Sequence, residues 1–422
     1  MELRKISPDT LDVFVLQSDL AHFMQTSAWG DVNNKRGYIP HLLGLYDKDK
    51  LLGTALLLEK KVLMYSTFYC PRGFIVDYKN KDLLKEMINS LKDYVKNHNG
   101  LYFKINPAII IRKLDEEANI KETIEDNYSL IEDLKSLGGH FRGFTKRFNE
   151  SSAPRYTFRV DVSKSKEEIF NNLHNTTKKI LKEDNPYGVL ITKNAENALE
   201  DFYHVMKETS IRKKLYVEDF NYFKDFYELL HKNNEADIYV ASIDVAHLKA
   251  IFLDKLNKVN EEVEETNKRP DGPKKANKLN DLELKKNKII KLKEEVDSLK
   301  EERIVLSSII TAKFKDIVWT IHGGNSDILQ FLNANYELYY HILLDSKDNG
   351  YKYVDFYGSE GQIDKNSNIY GIFLFKLRFG GDFIEFIGEF DFIIRPLMNS
   401  IINKLLVFRR KLKYNKSLKE ND

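Results

Sequence analysis

The segment from Ile251 to Lys300 reads IFLDKLNKVNEEVEETNKRPDGPKKANKLNDLELKKNKIIKLKEEVDSLK. It is rich in Lys, Glu, Asn and Leu, and one Pro270-Asp271-Gly272-Pro273 turn interrupts it. Apolar residues recur every three or four positions before the turn, at Phe252, Leu256, Val259 and Val263, and follow a heptad after it, at Leu282, Ile289, Leu292, Val296 and Leu299. Two such arms around a breaker predict an antiparallel coiled-coil hairpin over 250–304.

Strand patterns lie on both sides of this hairpin. Ala236–Ile243 precedes it and Val305–Lys313 follows it, each rich in β-branched residues. The hairpin is therefore predicted to be an insertion in a second domain, made of 155–249 and 305–384. Near the start of that domain the apolar spacing predicts a helix over Lys166–Lys182.

The remaining chain predicts a first domain over 1–154, completed by part of the C-terminal segment, about 385–422. Here strand patterns such as His41–Tyr46 alternate with helix patterns such as Lys81–Asn97. The predicted fold class is therefore α/β (α+β). A chain of 422 residues, 42% of them apolar, is long enough for two cores.

The composition limits the partners and the compartment. Lys and Arg number 66 against 64 Asp and Glu, so the net charge of +2 gives no whole-chain signal for nucleic acid or membrane. Cys70 is the only cysteine, which excludes an intramolecular disulfide and a Cys-based zinc site. Met1 to Leu20 lacks a signal-peptide pattern, and no run approaches the roughly 20 apolar residues of a membrane span. We therefore expect a cytoplasmic protein.

The C-terminal tail, Arg395 to Lys416, places Ile401, Ile402 and Leu405 beside a cluster of cations that includes Lys404, Arg409, Arg410, Lys411 and Lys413. Such a pattern is typical of a basic amphipathic helix that contacts anionic lipid or tRNA. A terminal helix with a solvated face is an equal alternative.

Three further segments carry a family resemblance. They are Phe23-Met24-Gln25-Thr26-Ser27-Ala28-Trp29, Tyr69-Cys70-Pro71-Arg72-Gly73-Phe74-Ile75-Val76-Asp77-Tyr78, and Gly371-Ile372-Phe373-Leu374-Phe375-Lys376 with Phe379-Gly380-Gly381 and Ile387-Gly388-Glu389-Phe390-Asp391 after it. Their order, with the charged hairpin, resembles the FemABX family of non-ribosomal peptidyltransferases, FemX-like and MurM-like. The resemblance implies two acetyltransferase-like (GNAT-type) domains with the hairpin in the second.

The resemblance also implies an aminoacyltransferase. Such an enzyme moves Ser, Ala or Gly from aminoacyl-tRNA to the stem-peptide amine of a peptidoglycan precursor, either lipid II or UDP-MurNAc-pentapeptide. The aminoacyl ester is already activated, and the sequence shows neither a Walker-type glycine loop nor the Gln/Arg-x-x-Gly-x-Gly/Ala turn that would hold acetyl-CoA. We therefore expect no cofactor. The ten histidines include no metal-like pair, and we expect no metal site.

Lys376 is the first catalytic candidate. The matching family lysine lies where the acceptor meets the aminoacyl-tRNA 3′ end, which implies charge stabilisation at the ester carbonyl or binding of the terminal ribose and phosphate. Phe375 and Phe379 are expected to wall that site. The alternative is a strand lysine paired with Glu385 or another acid, with two core phenylalanines.

Acceptor binding is implied for residues of both domains. Lys35, which follows Trp29 at the family spacing, resembles a clamp on the acceptor diphosphate, and Arg212 and Tyr216 resemble its second half. Solvated surface charge is the alternative for these cations. Asn106, before Pro107, stands where the family often has an aspartate; an amide is no general base, so Asn106 accepts a hydrogen bond from the amine or caps a turn.

Aminoacyl-tRNA must be met by local basic patches. The candidates are Lys178, Lys179 and Lys182, the hairpin faces Lys274–Lys278 and Lys285–Lys293, and the C-terminal tail. Acids interleave with the hairpin lysines, so a rigid spacer is at least an equal interpretation. Two other functions stay open: a non-catalytic scaffold that binds a partner through the hairpin, and an acetyltransferase.

Overall fold

A computed structural model describes residues 1–182, 185–214, 216–367, 369–402 and 404–405 of the chain. In these ranges the chain forms two mixed β-sheets with helices packed on them, which confirms the predicted α/β class. The strands are β1 (Glu2–Lys5), β2 (Ile39–Asp47), β3 (Lys50–Val62), β4 (Tyr65–Cys70), β5 (Gly100–Ile105), β6 (Ile110–Leu114), β7 (Ile120–Thr123), β8 (His140–Phe141), β9 (Tyr156–Asp161), β10 (Leu190–Lys193), β11 (Ala236–Asp244), β12 (Arg303–Phe314), β13 (Ile317–Asn325), β14 (Tyr353–Asp355), β15 (Asp382–Phe386) and β16 (Phe390–Ile393). The α-helices are α1 (Pro8–Gln17), α2 (Ser27–Lys35), α3 (Lys81–Asn97), α4 (Glu125–Ser136), α5 (Lys166–Asn172), α6 (Asn175–Leu181), α7 (Ala198–Lys213), α8 (Phe220–His231), α9 (Val245–Asn267), α10 (Pro273–Asp297), α11 (Ala334–Asp348) and α12 (Tyr370–Leu377).

The first sheet has the strand order β1-β2-β3-β4-β5-β16-β8 among the described residues. Strands β4 and β5 are parallel, and α3 makes the crossover between them, as a parallel pair requires. The apolar face of α3, with Leu84 and Leu91, packs with Phe103 and Phe392 in the core of this sheet. The C-terminal segment therefore contributes β16 to the interior of the first sheet.

The second sheet has the order β10-β11-β12-β13-β14-β9-β15-β6-β7 in the described ranges. Strands β6 and β7 lie within the predicted first domain, 1–154, yet β6 pairs with β15 in the second sheet. The chain thus passes from the first sheet to the second and back again. The domain boundaries stay a prediction.

A third apolar core joins the two sheets. Phe23 and Trp29 from the N-terminal part pack with Phe226 of α8 and Trp319 of β13. The Trp29 ring meets Phe226 edge-on with centroids 5.9 Å apart, and Phe23 lies 5.2 Å from Trp319. Aromatic contacts of this kind bury large areas, so the two sheets form one packed body.

The predicted hairpin consists of α9 and α10, which pack along one another and are joined by a short turn at 268–272. Val259 and Leu282 are buried between the two helices. Glu262 of α9 pairs across the hairpin with Lys285 of α10 at 3.1 Å. Acid and base on the hairpin thus contact each other, which fits the rigid-spacer interpretation. The supercoil stays a prediction.

Two predicted elements differ from the structure. The helix expected over Lys166–Lys182 is divided into α5 and α6, because Leu173 is extended (ψ 148°) and buried and the His174 side chain caps α6. Gly371–Lys376 lies in α12, so the alternative of a strand lysine at Lys376 is wrong. Glu385 instead pairs with Arg155 and Arg112 at 3.2 and 3.3 Å.

The end of the described chain is helical over 396–402 and 404–405. Most cations of the predicted basic tail lie outside the described residues. No described helix combines the length and the apolar character that a bilayer span requires.

The turn after α12 is held by close backbone packing. Gly380 has a φ of +71°, and a β-carbon there would lie 1.9 Å from the Asn172 carbonyl oxygen. The Arg378 carbonyl also accepts from the His174 backbone N–H at 2.9 Å. The α5–α6 junction therefore fixes the C-terminal end of α12.

We predict that Gly380→Ala lowers the free energy of unfolding by about 2 kcal/mol or more, because it adds backbone strain to a steric clash. Chemical denaturation measures the change. Gly371→Ala is the matched control, since that glycine lies in α12 with no atom within 4 Å of the new β-carbon. Equal stability of the two variants would contradict this packing.

Candidate functional site

Two clefts carry most of the residues that the sequence singled out. The α12 cleft, about 610 Å³, is lined by Arg212, Tyr216, Phe375 and Lys376 among others. The α2 cleft, about 410 Å³, is lined by Trp29, Arg36, Tyr69, Tyr357 and others. The first belongs to the second sheet, and the second lies where the two sheets meet.

The two clefts adjoin along β13. Ile321 and His322 line the α2 cleft, whereas the next residues, Gly323 and Gly324, line the α12 cleft. Consecutive residues of a strand are only about 3.3 Å apart along the chain. A molecule in one cleft is therefore separated from a molecule in the other by a thin wall.

Lys376 lies at a second place where the two clefts approach each other. Its ammonium donates hydrogen bonds to the carbonyl oxygens of Tyr357, at 2.7 Å, and Gly358, at 2.5 Å. The side chain lines the α12 cleft, while Tyr357 lines the α2 cleft. An ammonium has three N–H donors, so one remains beyond these two carbonyls. Lys376 thus connects the two clefts through the backbone between them.

Burial controls the charge of Lys376. The residue is 8% exposed, and no described carboxylate lies within 4 Å of its ammonium. Desolvation lowers the pKa of Lys376 to about 8, although the more distant Asp355 carboxylate opposes the shift. The ammonium is therefore charged at neutral pH and loses its proton just above it.

The two phenylalanines near Lys376 differ in position. Phe375 lines the α12 cleft. Phe379 is fully buried and packs behind Phe375, with ring centroids 5.1 Å apart, against Tyr336 and Tyr339. Phe375 therefore forms wall, and Phe379 supports it from the core.

Arg212 and Tyr216, two of the predicted clamp residues, each contact a carboxylate. Arg212 pairs with Asp327 in the α12 cleft. Tyr216 is 85% exposed, and its hydroxyl donates to Glu218 at 3.0 Å. The other Glu218 oxygen accepts from Arg36 at 2.7 Å. Glu218 therefore joins Tyr216 to the C-terminal end of α2.

Lys35 and Arg36, which are adjacent at the C-terminal end of α2, lie in different surroundings. Lys35 ends α2, is exposed and is absent from the described lining of both clefts. Arg36, one residue on, lines the α2 cleft and stacks 4.7 Å from the Tyr222 ring centroid. The role that the resemblance implies for Lys35 stays a prediction, and no sequence pattern singles out Arg36.

The α2 cleft is cationic. Its described lining contains Arg36, Lys60 and Lys104 and no carboxylate. Lys60 donates to the Arg36 carbonyl at 3.1 Å, and Lys104 pairs with the buried Glu389 at 3.0 Å. Fixed cations beside aromatic walls suit a polyanionic ligand with an apolar or sugar part. The sequence analysis missed Lys60 and Lys104, which come from separate strands.

Asn106 acts inside the protein. It is 3% exposed, its Oδ1 accepts from the Arg72 backbone N–H at 2.9 Å, and its Nδ2 donates to the Tyr69 hydroxyl at 3.0 Å. These contacts fix Tyr69, which lines the α2 cleft. They join Asn106 to the segment that contains Tyr69 and Arg72, and a contact between Asn106 and the substrate amine stays a prediction.

Comparison with known proteins identifies relatives over nearly the whole chain. The model of the FemAB family matches residues 6–405. Two curated proteins named "Lipid II:glycine glycyltransferase", one from Staphylococcus aureus strain MRSA252 and one from Staphylococcus aureus, are 24% and 25% identical, over 99% of this chain and 100% of theirs. The crystal structure of FemX is similar with a TM-score of 0.76 and 25% identity, covering 95% of this chain and 100% of that one.

We predict that the low pKa of Lys376 makes stability depend on pH. Above about pH 8 the folded lysine has lost its proton while the unfolded lysine, at its usual value of 10.5, retains it. The free energy of unfolding of the wild type, relative to Lys376→Met, therefore rises between pH 8 and 10.5, by on the order of 1–3 kcal/mol.

Denaturant titrations at several pH values measure this difference. Lys79→Met, which removes a lysine with a 69% exposed side chain, is the control for loss of one positive charge. A constant difference between the wild type and Lys376→Met over this pH range would show that the ammonium is not desolvated as the geometry indicates.

Proposed function

The chain belongs to the FemAB family, and from this premise we propose that it is an aminoacyltransferase that moves glycine from glycyl-tRNA to the stem-peptide amine of lipid II. The likeness to the two glycyltransferases over their full length supports the reaction and the choice of glycine and lipid II. The observation that carries the mechanism is the position of Lys376 in the wall between two adjoining clefts.

In this proposal the α12 cleft holds the 3′ end of the aminoacyl-tRNA. Arg212 and Lys213 give it cations for the terminal phosphate and ribose, and Phe375 gives it an aromatic wall. Arg212 is thus proposed to bind the donor, in place of the acceptor diphosphate that the resemblance implied. Bases and riboses stack on such walls, and phosphates pair with such cations. The nearly neutral net charge is no obstacle, since the contacts are local.

The α2 cleft holds the acceptor. Lipid II carries a diphosphate next to a sugar, and its stem peptide ends in a carboxylate. Arg36, Lys60 and Lys104 are fixed cations for these anions, and Trp29 and Tyr69 are the aromatic surfaces beside them. The stem-peptide amine then approaches the wall that Tyr357 forms.

The chemistry requires that the amine nitrogen attack the ester carbonyl. A C–N bond forms, the ester C–O bond to the tRNA ribose breaks, and the amine proton ends on the released ribose hydroxyl. The remaining Lys376 N–H stabilises the oxyanion that develops on the carbonyl oxygen. A positioned donor of this kind contributes about 10²–10³ in kcat. Holding both substrates against one wall supplies the proximity.

No protein base is assigned to this step. Asn106 is an amide held by Arg72 and Tyr69, so the amine loses its proton to water or to the substrates themselves. The protein is proposed to act in the cytoplasm, where charged tRNA is found, and at the membrane surface that presents lipid II.

We predict that Lys376→Met lowers kcat for transfer by about 10²–10³, because the oxyanion donor is lost. The assay follows radiolabelled glycine from glycyl-tRNA to lipid II, with UDP-MurNAc-pentapeptide as an alternative acceptor and seryl- and alanyl-tRNA as alternative donors. Lys79→Met, outside both described clefts, keeps wild-type activity. Folded wild type that labels no acceptor would refute the proposed function and favour a non-catalytic scaffold.

We predict that Asn106→Asp keeps kcat within about threefold of wild type, since a carboxylate can accept from Arg72 N–H and from the Tyr69 hydroxyl. Asn106→Ala leaves both donors unpaired and lowers kcat/KM by about tenfold. The same transfer assay measures both variants. A gain of more than tenfold in kcat for Asn106→Asp would instead indicate that a carboxylate base at this position assists the reaction.

A further inference from the structure

An exposed apolar turn lies at one end of the strands of the first sheet; this end is called the edge below. Between β3 and β4 the chain turns at Leu63 and Met64, and both side chains are exposed, Met64 to 79%. Leu63 is 54% exposed, so two adjacent large apolar side chains at the tip of a hairpin leave most of their surface in water. Apolar surface in water is unfavourable, and covering the tip with another apolar phase lowers the free energy.

A second exposed apolar surface lies on the terminal helix. Leu397, Ile401 and Leu405 are spaced by four residues and therefore share one helix face. All three are exposed, Leu397 to 78%, whereas Ile402 on the other side is buried. The helix thus rests on the protein by one face and presents aliphatic side chains on the other.

The turn and the start of the terminal helix lie at the same end of the strands. Ser66, at the start of β4, donates its N–H to the Asn99 carbonyl at 3.1 Å. The Ile394 N–H, just before the terminal helix, donates to the Leu101 carbonyl at 2.9 Å, and the Arg395 guanidinium donates to the Lys96 carbonyl at 3.1 Å. The turn, the end of α3 and the start of the terminal helix are therefore neighbours.

This edge is basic. The three segments that form it, 60–65, 94–99 and 394–405, contain Lys60, Lys61, Lys96, Arg395 and Lys404 and no Asp or Glu. Lys61 pairs with the buried Glu59, yet its side chain is 62% exposed. The sequence of residues 406–422, which lie outside the described ranges, has six Lys or Arg residues and two acids. Aliphatic side chains surrounded by cations match the surface of an anionic bilayer.

We propose that this edge, defined by Leu63, Met64, Leu397, Ile401 and Leu405 with their neighbouring cations, docks the protein on an anionic lipid surface. The aliphatic side chains enter the boundary between headgroups and acyl chains, and the cations lie at the headgroups. Nucleic acid would pair with the cations but offers no phase for five aliphatic side chains. The exposed apolar residues therefore favour lipid over tRNA.

The docking edge is next to the α2 cleft. Lys60 and Thr67, which pair across β3 and β4, line that cleft, and Val62 and Tyr65 pair at the turn two residues further. Tyr102, another residue of the cleft, pairs with Ile393 just before the terminal helix. At about 3.3 Å per residue the cleft lies within roughly 10 Å of the edge. Docking therefore places the cationic cleft at the headgroup level.

Vesicle co-sedimentation of the full chain tests the proposal. The probes are vesicles of phosphatidylglycerol and of phosphatidylcholine at fixed ionic strength. The edge variants are Leu63→Asn with Met64→Ser, and Leu397→Ser with Ile401→Ser. Leu63 has a φ of +58°, a conformation that asparagine tolerates, so the first pair is compatible with the fold. Ile120→Ser with Leu284→Ser removes equally exposed apolar residues elsewhere and is the matched control.

We expect the wild type and the control to bind phosphatidylglycerol vesicles, and each edge variant to bind at least tenfold more weakly. Binding of the wild type to phosphatidylcholine is expected to be at least tenfold weaker too. Edge variants that bind like the wild type, or a wild type that does not bind phosphatidylglycerol, would overturn the proposal. Edge variants that lose tRNA binding but keep vesicle binding would assign the surface to nucleic acid and overturn it as well.

The experiment is independent of the proposed transferase activity, because no amino acid is transferred in it. A protein that binds vesicles through this edge but labels no acceptor would keep the docking surface and refute the proposed function. A protein that transfers glycine but shows no edge-dependent binding would do the reverse.

Discussion

The apolar core between the two sheets is the constraint on which the candidate site depends. Phe23 and Trp29 contribute to it from the N-terminal part, and Phe226 and Trp319 from the second sheet. Because this core has no room for sliding, α2 is held at a fixed distance from β13, and the two clefts meet at Ile321–Gly324. If the two sheets were loosely connected, the same side chains would line two clefts that share no wall. The cationic α2 cleft and the α12 cleft are adjoining sites only while the core is packed.

Burying the Lys376 ammonium between the two clefts costs electrostatic free energy. A buried ammonium loses its hydration, and the carbonyls of Tyr357 and Gly358 offset part of the loss. Desolvation lowers the pKa of Lys376 to about 8, so the ammonium stays charged only below about that pH. The same lack of water makes a fixed N–H donor more effective toward a developing oxyanion. The features that cost stability are therefore those that the proposed chemistry uses.

The sequence predicted what local patterns determine. The amphipathic spacing over Lys81–Asn97 and the heptads around Pro270–Pro273 correspond to α3, α9 and α10, because each pattern depends on one segment alone. The family resemblance named Lys376 and Arg212, and the structure brings both to one cleft. It does not decide their roles, which stay proposals. One alternative placed Lys376 on a strand, but Gly371–Lys376 lies in α12, whose C-terminal end is held by the α5–α6 junction.

The rest could not be predicted, since it depends on contacts between distant segments. Arg36 rather than Lys35 enters a cleft because of Glu218 and Tyr222, about 180 residues further on. Lys60 and Lys104 meet only through sheet pairing, and Phe379 is core rather than wall because four aromatic rings surround it. Likewise, the exposed edge with Met64 and Leu397 exists only once β16 has brought the start of the terminal helix beside β5 and the end of α3.

Donor and acceptor are proposed to meet at the wall held by Lys376. A crystal structure with a bisubstrate conjugate tests this directly. In it an adenosine 3′ end is joined through a stable glycyl linker to the stem-peptide amine of the precursor. We expect adenosine in the α12 cleft, the precursor in the α2 cleft, and the linker carbonyl oxygen within hydrogen-bonding distance of the Lys376 ammonium. A conjugate that occupies one cleft only, or whose linker lies away from Lys376, would contradict it.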